Sequence, residues 1–404
     1  LPDLVHRLRS PRCQRAGLDL LRRRAVPLAR WVWLIAYAIP AVLLLLGRTH
    51  SVPFHVYLDA AQHWLRHEPL YDLSNIDGFQ YLPTSAMLFA PLAKLGSPWS
   101  ELAWRALGWS AYALAIWRLS RRLNRAEPAI AFLLASCLAI GPAVANLQNG
   151  QANLLLGALA LHASVAVMEQ RWWSASAELA LGLALKPLMV VPLLLFWALY
   201  RPLAARLPLA LAVVFALPWL FTDSAYLVQQ YRDCVSKLML SAEPDRQFED
   251  VRGLLTSAQL AVSPGGYLAL RAVSALGVLV LAALARKRLR DPLATFMVCS
   301  LGLNYLMLFN PRTLSSSYAM TGAVAAVLAA RYVLQRGAGV RRGLTITILL
   351  AWTLNHHVVP GVQYWLRPLA CVAFFAVLVR ELFGAPATRV EASPARPTDP
   401  AHSS

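Results

Sequence analysis

The sequence predicts an all-α fold: a polytopic membrane bundle of about twelve transmembrane helices, with a long outer first loop that carries interfacial helices of its own. Three observations predict it. The chain is 58% hydrophobic and 14% charged, with a mean hydropathy of +0.50, whereas soluble domains are about a quarter charged. Its apolar residues come in runs of membrane-helix length. Its arginines fall in short clusters between those runs, as the positive-inside rule requires. The net charge of +18 therefore does not imply nucleic acid as a partner, because the cations do not share one soluble face.

Residues 1–30 read as a basic cytoplasmic tail, with Arg7, Arg9, Arg12, Arg15 and the run Arg22-Arg23-Arg24 suited to anionic membrane lipids. Trp31 to Leu46 is the first span and is expected to act as an uncleaved anchor. It opens a transmembrane domain over residues 31–383. The first outer loop, residues 49–100, holds Asp59, Glu68, Asp72 and Asp77 in a chain otherwise short of acids. Carboxylates beside a membrane are costly unless solvated or used, so this loop is the first candidate for a site. Within it, His55, Asp59, His63 and His67 recur every fourth residue beside Val56, Ala60 and Trp64. That spacing predicts an amphipathic interfacial helix, stopped by Pro69. Tyr81 to Leu95 is apolar but broken by Pro83 and Pro91, so it is expected to be re-entrant or to lie on the surface.

Charge fixes the remaining topology. Arg118, Arg121, Arg122 and Arg125 mark a cytoplasmic loop, and only Glu101 to Trp117 fits between them and the first outer loop. Pro128 to Ala145 and Asn153 to Met168 follow, joined outside by the turn NLQNGQAN, with Arg171 inside. Trp173 to Tyr200 is bounded by cytoplasmic arginines at both ends, so it goes out and back, bending at Lys186-Pro187. Lysine at depth is expensive, which sends Lys186 either into an internal polar cavity or snorkelling to the surface. Pro208 to Phe221 leads to a second outer loop, residues 222–264, and Tyr267 to Leu284 returns to Arg286, Lys287, Arg288 and Arg290. Pro292 to Phe309, the turn NPRTLSSSY and Met320 to Leu334 come next. Leu344 to Leu354 and Val362 to Val379 make a last hairpin, with His356 and His357 in its turn. Residues 384–404 read as a disordered cytoplasmic tail, which puts both termini inside. Of the five cysteines only Cys234 faces outward, so no structural disulfide is expected.

The unusual polar residues thus collect on the outer side: the acidic loop, Gly150 to Asn153, Lys186, Arg252 and Asn310-Pro311-Arg312. Polar outer loops account for the acids but not for Lys186 and Arg312, cations on the side where cations are scarce. PFHVYLDAAQHWLRHEPLYD…FQYLPTSAMLFAPLAKL resembles the first outer loop of the polyprenyl-phosphate-mannose-dependent mannosyltransferases of glycosyltransferase family 87, in the glycosyltransferase C superfamily. GQANLLLGALAL…ELALGLALKPLMVVPLLLF resembles that family's Gly-Gln-x-Asn helix start and Lys-Pro hairpin. NPRTLSSSY stands where the family has an outer turn with paired histidines. The resemblance covers most of residues 30–380 and departs from the family twice. Pro53 occupies the usual place of the catalytic aspartate, with Asp59 the nearest carboxylate, and Ser316-Ser317 replace the histidines.

What the resemblance implies is transfer of a hexose, mannose, from a polyprenyl-phosphate donor to a hydroxyl of a lipid or glycan acceptor. The reaction would invert the sugar, on the outer face of a bacterial inner membrane. Such a transfer needs a base for the acceptor proton and cations for the departing phosphate. Asp59 is the expected base, with Asp72 and Asp77 in reserve. Arg312, Lys186 and Arg252 are the expected phosphate clamp. Tyr57, His63, Gln151, Asn153, Ser316, Ser317 and Tyr318 are candidates for sugar and acceptor contacts, while Gln151 and Asn153 could instead cap the following helix. No cofactor is expected, and no metal: His beside Trp is common on interfacial helices. The absence of an Asp-x-Asp pair and of a Gly-rich phosphate loop also suits a lipid-carried donor. The alternative is a transporter or lipid flippase without covalent chemistry. That reading would call for two related halves and midplane helix breaks, and no internal repeat is visible.

Overall fold

The computed structural model describes residues 11–48, 51–241, 247–335, 337–354 and 361–384, with side chains from residue 19 onward. His356, His357 and the tail from residue 385 lie outside the described residues. Every regular element among the described residues is helical, as the apolar runs require. Five helices are long and apolar enough to cross a membrane: Asp19–Leu45, Pro128–Asn149, Leu203–Leu220, Pro264–Arg288 and Ser315–Leu334. The protein is an all-α polytopic membrane protein.

Helix α1 (Pro11–Leu45) runs unbroken through Pro27 and Pro40. It starts well before Trp31, so the boundary expected at residue 30 is not a structural one. Packing is the reason: Ala25 and Ala29 are fully buried, and Arg22 reaches both Asp19, at 3.1 Å, and Glu127. Helix α2 (Val52–Arg66) is the amphipathic helix of the first loop, capped by Ser51 and ended by His67 in the left-handed conformation. Its apolar face, Phe54, Tyr57, Ala61 and Trp64, is buried against protein. Ser51 Oγ donates to the Asn149 carbonyl at 2.5 Å. That contact needs Gly150, where φ is +60° and a Cβ would sit 2.5 Å from Ser51 Oγ. Helix α3 (Pro83–Ala93) has 11 residues, about 16 Å at 1.5 Å per residue. It is too short to cross a core of about 30 Å, as the prolines of Tyr81 to Leu95 led one to expect.

Helices α4 (Trp99–Leu123), α5 (Pro128–Asn149), α6 (Asn153–Met168), α7 (Trp172–Leu185) and α8 (Val190–Leu199) then run back and forth between two ends of the bundle. The expected hairpin is present: Trp172 at the start of α7 lies 6.4 Å from Tyr200 just after α8, ring to ring. Lys186 at its far tip is extended, with a 3-10 turn over Pro187–Met189 leading into α8. Helix α9 (Leu203–Ala216) precedes two helices of the second loop, α10 (Ser224–Leu240) and α11 (Val251–Ser257). Helices α12 (Pro264–Arg288), α13 (Leu293–Phe309), α14 (Ala319–Leu334), α15 (Gly339–Thr353) and α16 (Gln363–Gly384) complete the bundle.

The centre belongs to α6, α13 and α14, whose residues are buried almost throughout. Small residues let them approach: a Cβ on Gly157 would lie 3.2 Å from the Met320 backbone. The expected cytoplasmic arginines gather at one end. Arg118, Arg122 and Arg171 converge on Glu169, Arg286 lies over the Tyr200 ring, and Arg341 pairs with Glu381. The opposite end carries α2, α3, α10, α11, the Gly150 turn and Lys186. The candidate site is there.

Candidate active site

At this end a cavity of about 790 Å³ opens between the first loop, the Lys186 bend, the N-terminal end of α12 and the Asn310 turn. Among the described residues three cations line it, Lys186, Arg271 and Arg312, and one carboxylate, Asp77. Apolar residues of the bend and of two helices, Leu188, Val190, Val191, Leu306 and Phe309, make one wall. A pocket with cations against an apolar wall suits an amphiphile whose charged group is anionic.

Lys186 is held by a polar chain that explains much of the Gly-Gln-x-Asn sequence. Its Nζ donates to Asn153 Oδ1 at 3.1 Å and lies 5.4 Å from the Tyr81 ring centroid. Asn153 Nδ2 donates to Gln151 Oε1 at 2.9 Å, which also accepts from Ser316 Oγ at 2.5 Å. Gln151 and Ser317 line the cavity, whereas Asn153 and Ser316 stand behind it. Helix α6 has no side-chain cap, so the capping role considered for Gln151 and Asn153 does not hold. Lys186 takes the internal route of its two expected fates.

The acidic loop separates into three cases. Asp59 is exposed on α2 and outside the cavity. Asp72 is also exposed and turned into its own loop, accepting from the amide and hydroxyl of Ser74 at 2.9 and 2.6 Å. Those two bonds hold its carboxyl below the usual range. Asp77 alone reaches the cavity, 3.5 Å from Arg312 Nη2. The residue after it, Gly78, has φ +97°, a conformation that L side chains resist. Asp59, the expected base, therefore stands outside the cavity, and Asp77 is the carboxylate of the first loop that lines it. The reason is helical geometry: Asp59 lies along the stripe of Val52 and Val56, but further from the cavity than either.

Other expectations divide likewise. Arg312 lines the cavity and donates to the Ile76 carbonyl at 3.3 Å. Arg252, expected beside Lys186 and Arg312, does not line it; its guanidinium lies 6.0 Å from the Tyr267 ring centroid. Arg271 is the third cation that does. The sequence offered a signal for it, a cation near the outer end of an otherwise apolar run. Tyr57 lines the cavity, and its hydroxyl is 3.3 Å from that of Tyr81. His63 is engaged by the Pro69 carbonyl at 3.0 Å, away from the cavity. Tyr318 is buried and donates to the Glu249 carbonyl at 2.5 Å. It supports the turn and does not reach a ligand. Glu249 in turn pairs with Arg367 at 2.6 Å, both buried, so α16 holds the turn that presents Arg312.

Sequence comparison assigns this architecture. The sequence model of glycosyltransferase family 87 matches residues 79–311, more than half of the chain. The chain belongs to glycosyltransferase family 87. It is a membrane glycosyltransferase, with a sugar donor and an acceptor as substrates. No curated protein and no solved structure gives a significant match. The matched segment contains Tyr81, Gln151, Lys186 and Arg271. It begins just after Asp77 and stops just before Arg312. The roles of those two residues therefore rest on geometry. Pro53 also lines the cavity.

Proposed function

We propose that this cavity transfers a hexose, mannose, from a polyprenyl-phosphate donor to a hydroxyl of a lipid or glycan acceptor, on the outer face of a bacterial inner membrane. The observation that carries the reading is the convergence of Lys186, Arg271 and Arg312 beside the apolar wall of Leu188, Val190, Val191, Leu306 and Phe309. A lipid phosphate needs both surfaces at once. A nucleotide sugar would leave the apolar wall unused.

In this reading the prenyl chain lies along α8 and α13, and its phosphate meets the three cations. Gln151 and Ser317 face the sugar. The acceptor enters at the exposed Asp77 rim. Its hydroxyl oxygen attacks C1 from the side opposite the phosphate and gives its proton to the Asp77 carboxylate. The C1–O bond to phosphate breaks, the sugar is inverted, and the lipid phosphate departs with its charge balanced by the cations. No step calls for a cofactor or a metal.

The test is donor choice. Purified protein with a membrane-lipid extract as acceptor source should transfer labelled mannose from a polyprenyl-phosphate sugar. It should leave the nucleotide-linked sugar untouched. Transfer from the nucleotide sugar alone would overturn the lipid-donor reading.

A further inference from the structure

Lys237 of α10 is fully buried, at 0% exposure. Its ammonium donates to three backbone carbonyls of the first loop: Asp72 at 2.7 Å, Asp77 at 2.6 Å, and Asn75. An ammonium has three N–H donors, and here each has an acceptor. Leaving such a group buried without them would be strongly destabilising. The bond set is therefore obligatory for both partners.

The loop has no regular secondary structure to define its path: residues 71–82 form only turns and bends, and most of their side chains from 72 to 78 are exposed. Short-range bonds within it, Ser74 to Asp72 and Gln80 Nε2 to the Ile76 carbonyl at 2.6 Å, are joined by bonds from outside: Ser241 Oγ donates to the Ile76 carbonyl at 3.0 Å and Arg312 to the same atom. Helix α10 also engages the start of the loop, where the Leu70 amide donates to Gln230 Oε1 at 2.9 Å. Lys237 grips the loop at both ends of its turn, and the last carbonyl it holds belongs to Asp77 itself.

We propose that Lys237 is a positioning residue for sugar transfer: by caging the carbonyls of Asp72, Asn75 and Asp77 it sets where the Asp77 carboxylate stands in the cavity. It touches neither substrate nor reacting atoms. The second loop thereby governs the first, and a residue distant in sequence sets the geometry of the base. The inference rests on the reading of Asp77 as the base, and its test separates the two.

Four enzymes are compared by kcat and donor KM: wild type, Lys237→Met, Asp77→Asn and the double variant. A displacement of about 1 Å at a reacting group can cost about 10²-fold. Lys237→Met should therefore lower kcat by about 10- to 100-fold, with donor KM little changed. In the Asp77→Asn background the same substitution should cause almost no further loss, because a misplaced base and an absent base are equivalent. Equal losses in both backgrounds would reveal general structural support and overturn the proposal. So would wild-type kcat in Lys237→Met alongside an impaired Asp77→Asn. Full activity in Asp77→Asn would instead remove the base assignment, and this inference with it. Should Lys237→Met fail to accumulate, Lys237→Arg decides. Its planar fork keeps the charge but cannot aim at three carbonyls converging on one point, so kcat should fall at unchanged donor KM. Wild-type kcat in Lys237→Arg would overturn the proposal.

Discussion

Asparagine at Asp77 is expected to lower turnover by about 10²-fold or more, the usual size of a lost general base, while donor binding persists. The amide keeps the shape of the side chain, and the bonds that hold this residue's backbone, from Lys237 to its carbonyl and from its own N–H to Asn75 Oδ1 at 2.9 Å, do not involve the carboxylate. Asp59→Asn should stay close to wild type, because Asp59 stands outside the cavity. Asp72→Asn should also remain active, with at most a looser turn around Ser74. Single-turnover transfer of labelled sugar measures all three. An inactive Asp59→Asn beside an active Asp77→Asn would return the base to the amphipathic helix.

The second large effect is expected at the clamp. Arg312→Gln and Lys186→Gln should each cut transfer by about 10²- to 10³-fold, the scale of removing one donor aimed at developing negative charge. Arg312→Lys should fall between Gln and wild type, since an ammonium cannot hold two phosphate oxygens in one plane. The two sites differ in what else they lose. Among the described residues Lys186 donates to Asn153 Oδ1 and faces the Tyr81 ring, so its removal weakens the donor site and leaves the Asp77 loop in place. Arg312 also contacts Ile76 and Asp77, so its removal disturbs base and phosphate site together. Loss of activity should therefore be deeper in Arg312→Gln than in Lys186→Gln. Wild-type transfer in either variant, at normal protein levels, would exclude that cation from the mechanism.

Much of the fold was legible because it follows from one-dimensional signals. Hydropathy gave the helical runs, arginine clusters gave their alternation, and Lys186-Pro187 gave the hairpin tip between Trp172 and Tyr200. Polar outliers gave Lys186, Arg312, Gln151 and Ser317, all of which line one cavity. What escaped depends on contacts between segments distant in sequence. Asp59 is kept out by its place on α2, whereas which of Asp72 and Asp77 enters the cavity depends on the loop path, held by Lys237 and Ser241 from the second loop. Arg271 was passed over because its neighbours made the run look uniformly apolar, although a cation there needed a reason. The helical stretch before Trp31 was hidden by its arginines, which are good helix formers and find Glu127 and Asp19 as partners.

If one cavity holds the phosphate, the sugar and the base, a prenyl chain lies along its apolar wall, where photocrosslinking should find it. A polyprenyl-phosphate sugar carrying a diazirine in its first isoprene units would be activated on the purified protein and the labelled peptides sequenced. Labels are expected around Leu188 to Val191 and Tyr305 to Phe309, and should be lost when unlabelled donor competes. A second apolar groove, of about 670 Å³ and lined by Trp33, Trp109 and Trp117, runs between α1 and α4. Competable labelling confined to that groove would contradict the account.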